Sequence, residues 1–105
     1  MPLRPALPIV DVHNHVITPD TAAYPRDPMG GHASEWSKER PVDADGLRRA
    51  MAAAGVAHSV VVQASTCYGH DNAYLVDAVA AHPQHFLGVY SVDMVAPDAV
   101  QRIRH

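Results

Sequence analysis

The run HSVVVQ, His58–Gln63, is a β-branched stretch too short for a helix and too continuously apolar for a strand with one wet face. It reads as a strand covered on both sides, the pattern of parallel sheets. Helical patterning flanks it. Upstream, Asp43 or Asp45 can cap a helix over 43–55 whose Leu47, Ala50, Met51 and Ala54 share a face, with Gly55 placed as a left-handed terminator. Downstream, Asp71 can cap a helix over 71–82 that buries Leu75, Val76, Val79 and Ala80. FLGVYSV supplies a further strand over 86–92, and Pro97 with Asp98 opens another helix over 97–105. The first strand spans 9–15 and is followed by a long loop over 16–42. Strand and helix therefore alternate, which implies right-handed βαβ units and a parallel α/β sheet in one partial domain over 1–105.

Composition narrows the function classes. The chain has 105 residues, 48% hydrophobic and 18% charged, the balance of a globular domain. A net charge of -3 with no basic cluster beyond Arg48 and Arg49 argues against nucleic acid and acidic lipid as partners. Three prolines and an arginine interrupt the first ten residues, so no secretion signal is read there, and no apolar run reaches the ~20 residues of a membrane span. One cysteine, Cys67, forms no internal disulfide, and a reducing cytoplasmic setting is the expectation.

The chemistry-bearing feature is DVHNH, Asp11–His15, at the end of the first strand. Strict alternation would put Asp11, His13 and His15 on one side and Val10 and Val12 on the other, against the helices. Neutral imidazoles at i and i+2 of an extended chain can reach one divalent ion. Two nearby histidines are weak evidence alone. Their position adds weight, because α/β folds place chemistry at strand C-terminal ends and the loop that follows, about 27 residues, far exceeds the usual ~4–6.

DVHNH, the YP of the long loop, AAAGVAHSVVVQAS, YGHDNAYLVDAVAAHP and FLGVYSVD together resemble the N-terminal part of the amidohydrolase-related, metal-dependent TIM-barrel hydrolases. They are most similar to the branch that contains pyrone-dicarboxylate lactonase and sulfomuconolactone hydrolase. The resemblance implies a βαβαβ portion of a (β/α)8 barrel, incomplete in this chain, since such barrels take about 250 residues. It implies that His13 and His15 are two metal ligands, with zinc or manganese as the ion, and that Asp11 supports them. Further ligands and the general base would come from later strands that are absent here, so no complete catalytic set is expected and the ion need not be retained. His58, His82, His85 and His105 fall at other places and do not substitute.

The substrate implied is a small lactone or carboxylate-bearing ester, met by Ser65, Tyr68 and His70 from the loop after the second strand and by Tyr24 from the long loop. For the loop residues the simpler alternative is a turn and helix cap built on Gly69 and Asp71; for Tyr24 and Trp36 it is anchoring of the loop. Cys67 and His70 are three apart, which by itself does not place a base on a thiol. Decarboxylation is a sibling reaction that the early strands do not separate from hydrolysis. A reading from another class is an inactive barrel fragment, stable only on association, because open parallel edges leave unpaired backbone groups and favour a homo-oligomer or another covering chain.

Overall fold

In the computed structural model, which describes residues 7–32, 38–39 and 41–104, the central strand pairs on both sides. Strand β1, Ile9–Asn14, runs parallel to β2, Val56–Val62, which runs parallel to β3, Phe86–Val89. Helices alternate with the strands: α1, Ala44–Ala54; α2, Ser65–Tyr68; α3, Ala73–Ala81; and α4, Ala99–Arg104. The expected α/β class with a three-stranded parallel sheet stands. Trp36 and His105 lie outside the described residues.

Helix α1 forms where its signals fall. The Asp43 carboxylate accepts the Gly46 amide at 2.8 Å, and Gly55 at φ 75° turns its N–H back to the Met51 and Ala52 carbonyls. Ala44, Leu47 and Met51 are the buried residues, whereas Ala50 and Ala54 are exposed. The buried stripe is thus centred one position away from the face expected. Leu75 and Ala78 of α3 complete the contact, and both helices close over Val61, which has no exposed surface, together with Val16 and Phe86.

Only this face of the sheet is covered. By register Val10 shares a face with His58, Val60 with Leu87, and Val62 with Val89. Val12 is 72% exposed and Leu87 67%, with Val10 and Val89 also open. The expectation that β2 is buried on both sides, and that Val10 and Val12 meet helices, is corrected. Val61 and Ser59 do lie under α1 and α3; the alternate residues have nothing above them among the described residues.

Several element ends differ from the sequence reading by one to three residues. Helix α3 starts at Ala73, because the Asp71 carboxylate accepts the Ala73 amide while Asn72 turns its side chain away to Ser91. Strand β3 ends at Val89, where the Val89 carbonyl accepts the Gln63 amide and ladder pairing stops. The one-turn helix α2 was not expected; it forms as the Ala64 carbonyl accepts the Cys67 and Tyr68 amides. The long loop is tied at its base by Ile17 N–H to Val42 O, and against α2 by Asp27 N–H to Cys67 O and Met29 N–H to Ser65 O. Gly69 permits that approach, since a Cβ there would stand 2.6 Å from the Asp27 carbonyl oxygen. No helix among the described residues is long and apolar enough to cross a membrane.

Met51→Ala is expected to lower unfolding free energy by about 2–5 kcal/mol through the cavity it leaves, and Asp43→Ala by about 1 kcal/mol through loss of the cap. Urea titration followed by circular dichroism measures both. Equal, negligible effects would show that α1 is not packed on β2 as described.

Candidate metal and substrate site

The geometry at DVHNH depends on an irregularity in β1. Asp11 pairs with Ser59 and Asn14 with Val61, so three steps of β1 match two of β2. One extra residue is inserted around Val12 and His13, and strict alternation fails there. Asp11 is consequently in register with buried Ser59, and its carboxylate accepts the His13 backbone N–H at 3.0 Å. It supports the peptide that carries His13, through the backbone and, among the described residues, without a hydrogen bond to either imidazole. Asn14 holds the other end of the irregularity by donating its side-chain amide to Ser59 Oγ at 2.8 Å.

His13 and His15 are brought together. Their rings stand edge to face with centroids 5.1 Å apart and planes at 80°. His15 Nδ1 lies 2.8 Å from the Val62 carbonyl oxygen at the end of β2. A carbonyl only accepts, so Nδ1 carries the proton, and the lone pair of neutral His15 is on Nε2. A carbonyl behind one nitrogen and a free lone pair on the other is the arrangement of metal-bound histidines. Two imidazoles on one tetrahedral ion, with Zn–N of ~2.0–2.1 Å, have ring centroids about 5 Å apart, which the pair matches. The ring spacing is therefore that of two imidazoles on one divalent ion, and equally that of an ordinary edge-to-face ring pair. A catalytic zinc usually takes three protein ligands, and no cluster of three or more His, Cys, Asp or Glu suited to a metal occurs among the described residues. His58 and His85 bond Gln84 O and Ala57 O at the other end of the strands, and His82 meets Asp45.

The residues expected to meet substrate divide. His70 is half-buried, with Nδ1 2.7 Å from Ser91 Oγ, on a cavity of about 440 Å³ that Asn72, Ser91 and Arg102 also line. Ser65 is half-buried at the start of α2. Tyr68 is only 2% exposed, and its hydroxyl accepts from Thr18 N–H at 3.1 Å and Arg26 Nη1 at 2.8 Å. Burial raises the Tyr68 hydroxyl above its ordinary pKa, opposed by those donors. It anchors the long loop and has no surface left for a substrate. Tyr24 likewise packs on Tyr74 and donates its hydroxyl to Asp77 on α3, which raises its pKa. Tyr68 is corrected from a substrate contact to a loop anchor, and half-buried Tyr24 takes part in the same anchoring.

Two organising residues escaped the sequence reading. Gln63, 6% exposed, donates its amide to the Gly69 and Asp71 carbonyls and so shapes the loop that carries His70. Asn72 donates to Ser91 O and accepts from Ser91 N, extending the reach of β3 with a side chain in place of a strand. A glutamine closing an apolar strand was a readable signal for the first. The second has none, because Asn at a helix start reads as a cap.

Fold and site together describe part of a parallel α/β barrel with an imidazole pair at the strand ends. No family model matches the chain, and no curated protein matches it. Among solved structures it is similar to one described as a probable 2-pyrone-4,6-dicarboxylic acid hydrolase from Acinetobacter baumannii with citric acid bound, at 19% identity and a TM-score of 0.59. That match takes in 93% of this chain and 33% of the other, so the chain spans about a third of that structure's length.

Tyr68→Phe is expected to cost about 1–3 kcal/mol, because the Thr18 amide and the Arg26 guanidinium both lose their acceptor. Its urea midpoint should fall below that of Tyr24→Phe, whose bond is at the surface. The reverse order would mean that Tyr68 does not hold the loop.

Proposed function

We propose that the chain is part of a metal-dependent hydrolase of the amidohydrolase-related barrel class, and that the whole enzyme opens a lactone or related carboxylate-bearing ester. The observation that carries this is the His13 and His15 pair, spaced as two ligands of one ion, with His15 oriented by the Val62 carbonyl. The similar solved structure is described as a hydrolase of a pyrone dicarboxylate, and it holds the polycarboxylate citric acid. When bound, the ion would lower the pKa of a water and polarise the carbonyl under attack. His13 and His15 would hold it, Asp11 would fix the peptide that leads into His13 through the His13 amide, and Ser65 and His70 would meet the substrate. The buried free thiol of Cys67 suits a reducing, cytoplasmic setting.

Two observations favour a second reading, an inert partial barrel stable on association. The described residues supply two donors rather than three, and one face of the sheet is open.

The test is metal content by mass spectrometry together with hydrolysis of 2-pyrone-4,6-dicarboxylate, on the 105-residue chain and on His13→Ala. Retained metal, with affinity reduced in the variant by at least the ~10–100-fold that loss of a mere supporting group costs, is expected. Turnover that disappears in His13→Ala would exclude the inert reading. Metal-free protein with no turnover would sink the hydrolase reading for this chain.

A further inference from the structure

Three side chains fix one imidazole. His70 stands in the loop between α2 and α3, and Gln63 Nε2 donates to the carbonyls on both sides of it, Gly69 O at 3.1 Å and Asp71 O at 2.8 Å. The His70 carbonyl accepts Asn72 Nδ2 at 3.3 Å, and ring nitrogen Nδ1 lies 2.7 Å from Ser91 Oγ. Ser91 is held in turn, because Asn72 accepts its amide at 3.0 Å and donates to its carbonyl at 2.8 Å. Locking of peptide and ring by neighbouring hydrogen bonds is how a functional side chain is kept at its working geometry. The ring borders a cavity of about 440 Å³, and its Nε2 has no hydrogen-bond partner among the described residues.

We propose that Ser91 is a positioning residue for His70: its hydroxyl donates to Nδ1, the imidazole proton is thereby kept on Nε2, and His70 acts as a neutral hydrogen-bond donor to a carboxylate or carbonyl oxygen of the substrate. This rests on the reading that His70 meets the substrate, and adds which atom does so and what aims it. A serine hydroxyl can give or take a hydrogen bond. Ser91 Oγ has no other hydrogen bond among the described residues, so giving to Nδ1 is the arrangement that uses its proton. His15 has the opposite tautomer, with its proton on Nδ1 against the Val62 carbonyl and its lone pair on Nε2. The two imidazoles thus divide the work: His15 offers a lone pair to an ion, and His70 offers a proton to an oxygen.

Position agrees with this division. The ends of β1 and β3 are two strand spacings apart, ~10 Å. His15 follows the one and Ser91 the other, so the two pairs lie at one rim of the sheet, a small molecule's length from each other. A nucleophilic serine would take a third group on the far nitrogen of its base, and no carboxylate bonds His70 Nε2 among the described residues. The pair is therefore arranged to aim an imidazole and not to activate a hydroxyl.

The test is nuclear magnetic resonance of the metal-free 105-residue chain, labelled with ¹⁵N in its histidines, during titration with isophthalate, a planar ring dicarboxylate that has no ester to open. A His70 ring protonated on Nε2 alone, with an Nε2 signal that moves on addition of isophthalate, is expected. Ser91→Ala should weaken isophthalate binding roughly three- to tenfold, the value of one hydrogen bond, with unchanged far-ultraviolet circular dichroism, and Ser91→Thr should restore it. In a His70→Ala background Ser91→Ala should weaken binding no further, since a positioning residue acts through the residue it aims. A proton on Nδ1, a His70 signal that isophthalate does not move, or equal losses in both backgrounds would overturn the assignment. Zinc bound through His13 and His15 alongside any of those results would leave the hydrolase reading standing. Absence of both zinc binding and a His70 response would overturn both.

Discussion

The burial of Val61 under α1 and α3 is the contact on which the rest depends. Val61 sits in the middle strand, paired in parallel with Asn14 on one side and Gly88 on the other, and none of its surface reaches solvent. Leu47 and Met51 from one helix, Leu75 and Ala78 from the next, and Phe86 from β3 converge on it. Parallel strands are distant in sequence and joined only by crossovers, so the ladder holds only if the crossover helices pack. Where the helices pack, the carbonyl of Val62 and the hydroxyl of Ser59 are set in place for the neighbouring strand.

Those two groups of β2 orient the end of β1. Ser59 accepts the Asn14 amide and Val62 accepts the His15 imidazole, both just after the residue inserted in the strand. A small distortion of one ladder thus brings two imidazoles ring to ring. A second set of contacts arranges the loops behind them: Gln63 shapes the loop after β2, Asn72 ties it to Ser91, and Tyr68 draws Thr18 and Arg26 of the long loop onto α2. Polar side chains do this because loop backbone has no ladder of its own in which to satisfy its amides and carbonyls.

The same sheet that is well covered on the helix side is open on the other. A (β/α)8 barrel buries its inner face by closing on itself, and three strands do not close. The exposed valines and leucine follow from that one geometric fact: among the described residues nothing packs against the face opposite the helices.

Much of the fold was legible from short-range pattern. The order of strands and helices, the Asp43 cap, the Gly55 terminator and the placing of His13 and His15 at a strand end follow from local preferences and periodicity, which act within a few residues. The inserted residue in β1 was not legible, since register is a property of two strands and Asp11 has to find Ser59 before alternation can be seen to fail. Nor were the packing of Tyr24 and the burial of Tyr68, which look like binding-loop aromatics until the loop folds back, burying Tyr68 and packing Tyr24 against the same cluster. By itself the sequence determined the α/β alternation and the presence of a histidine pair at the end of β1. Only the tertiary structure decided which face of the sheet is covered, that Tyr68 is buried against the long loop, and that the two imidazoles meet ring to ring, because each depends on contacts between segments tens of residues apart.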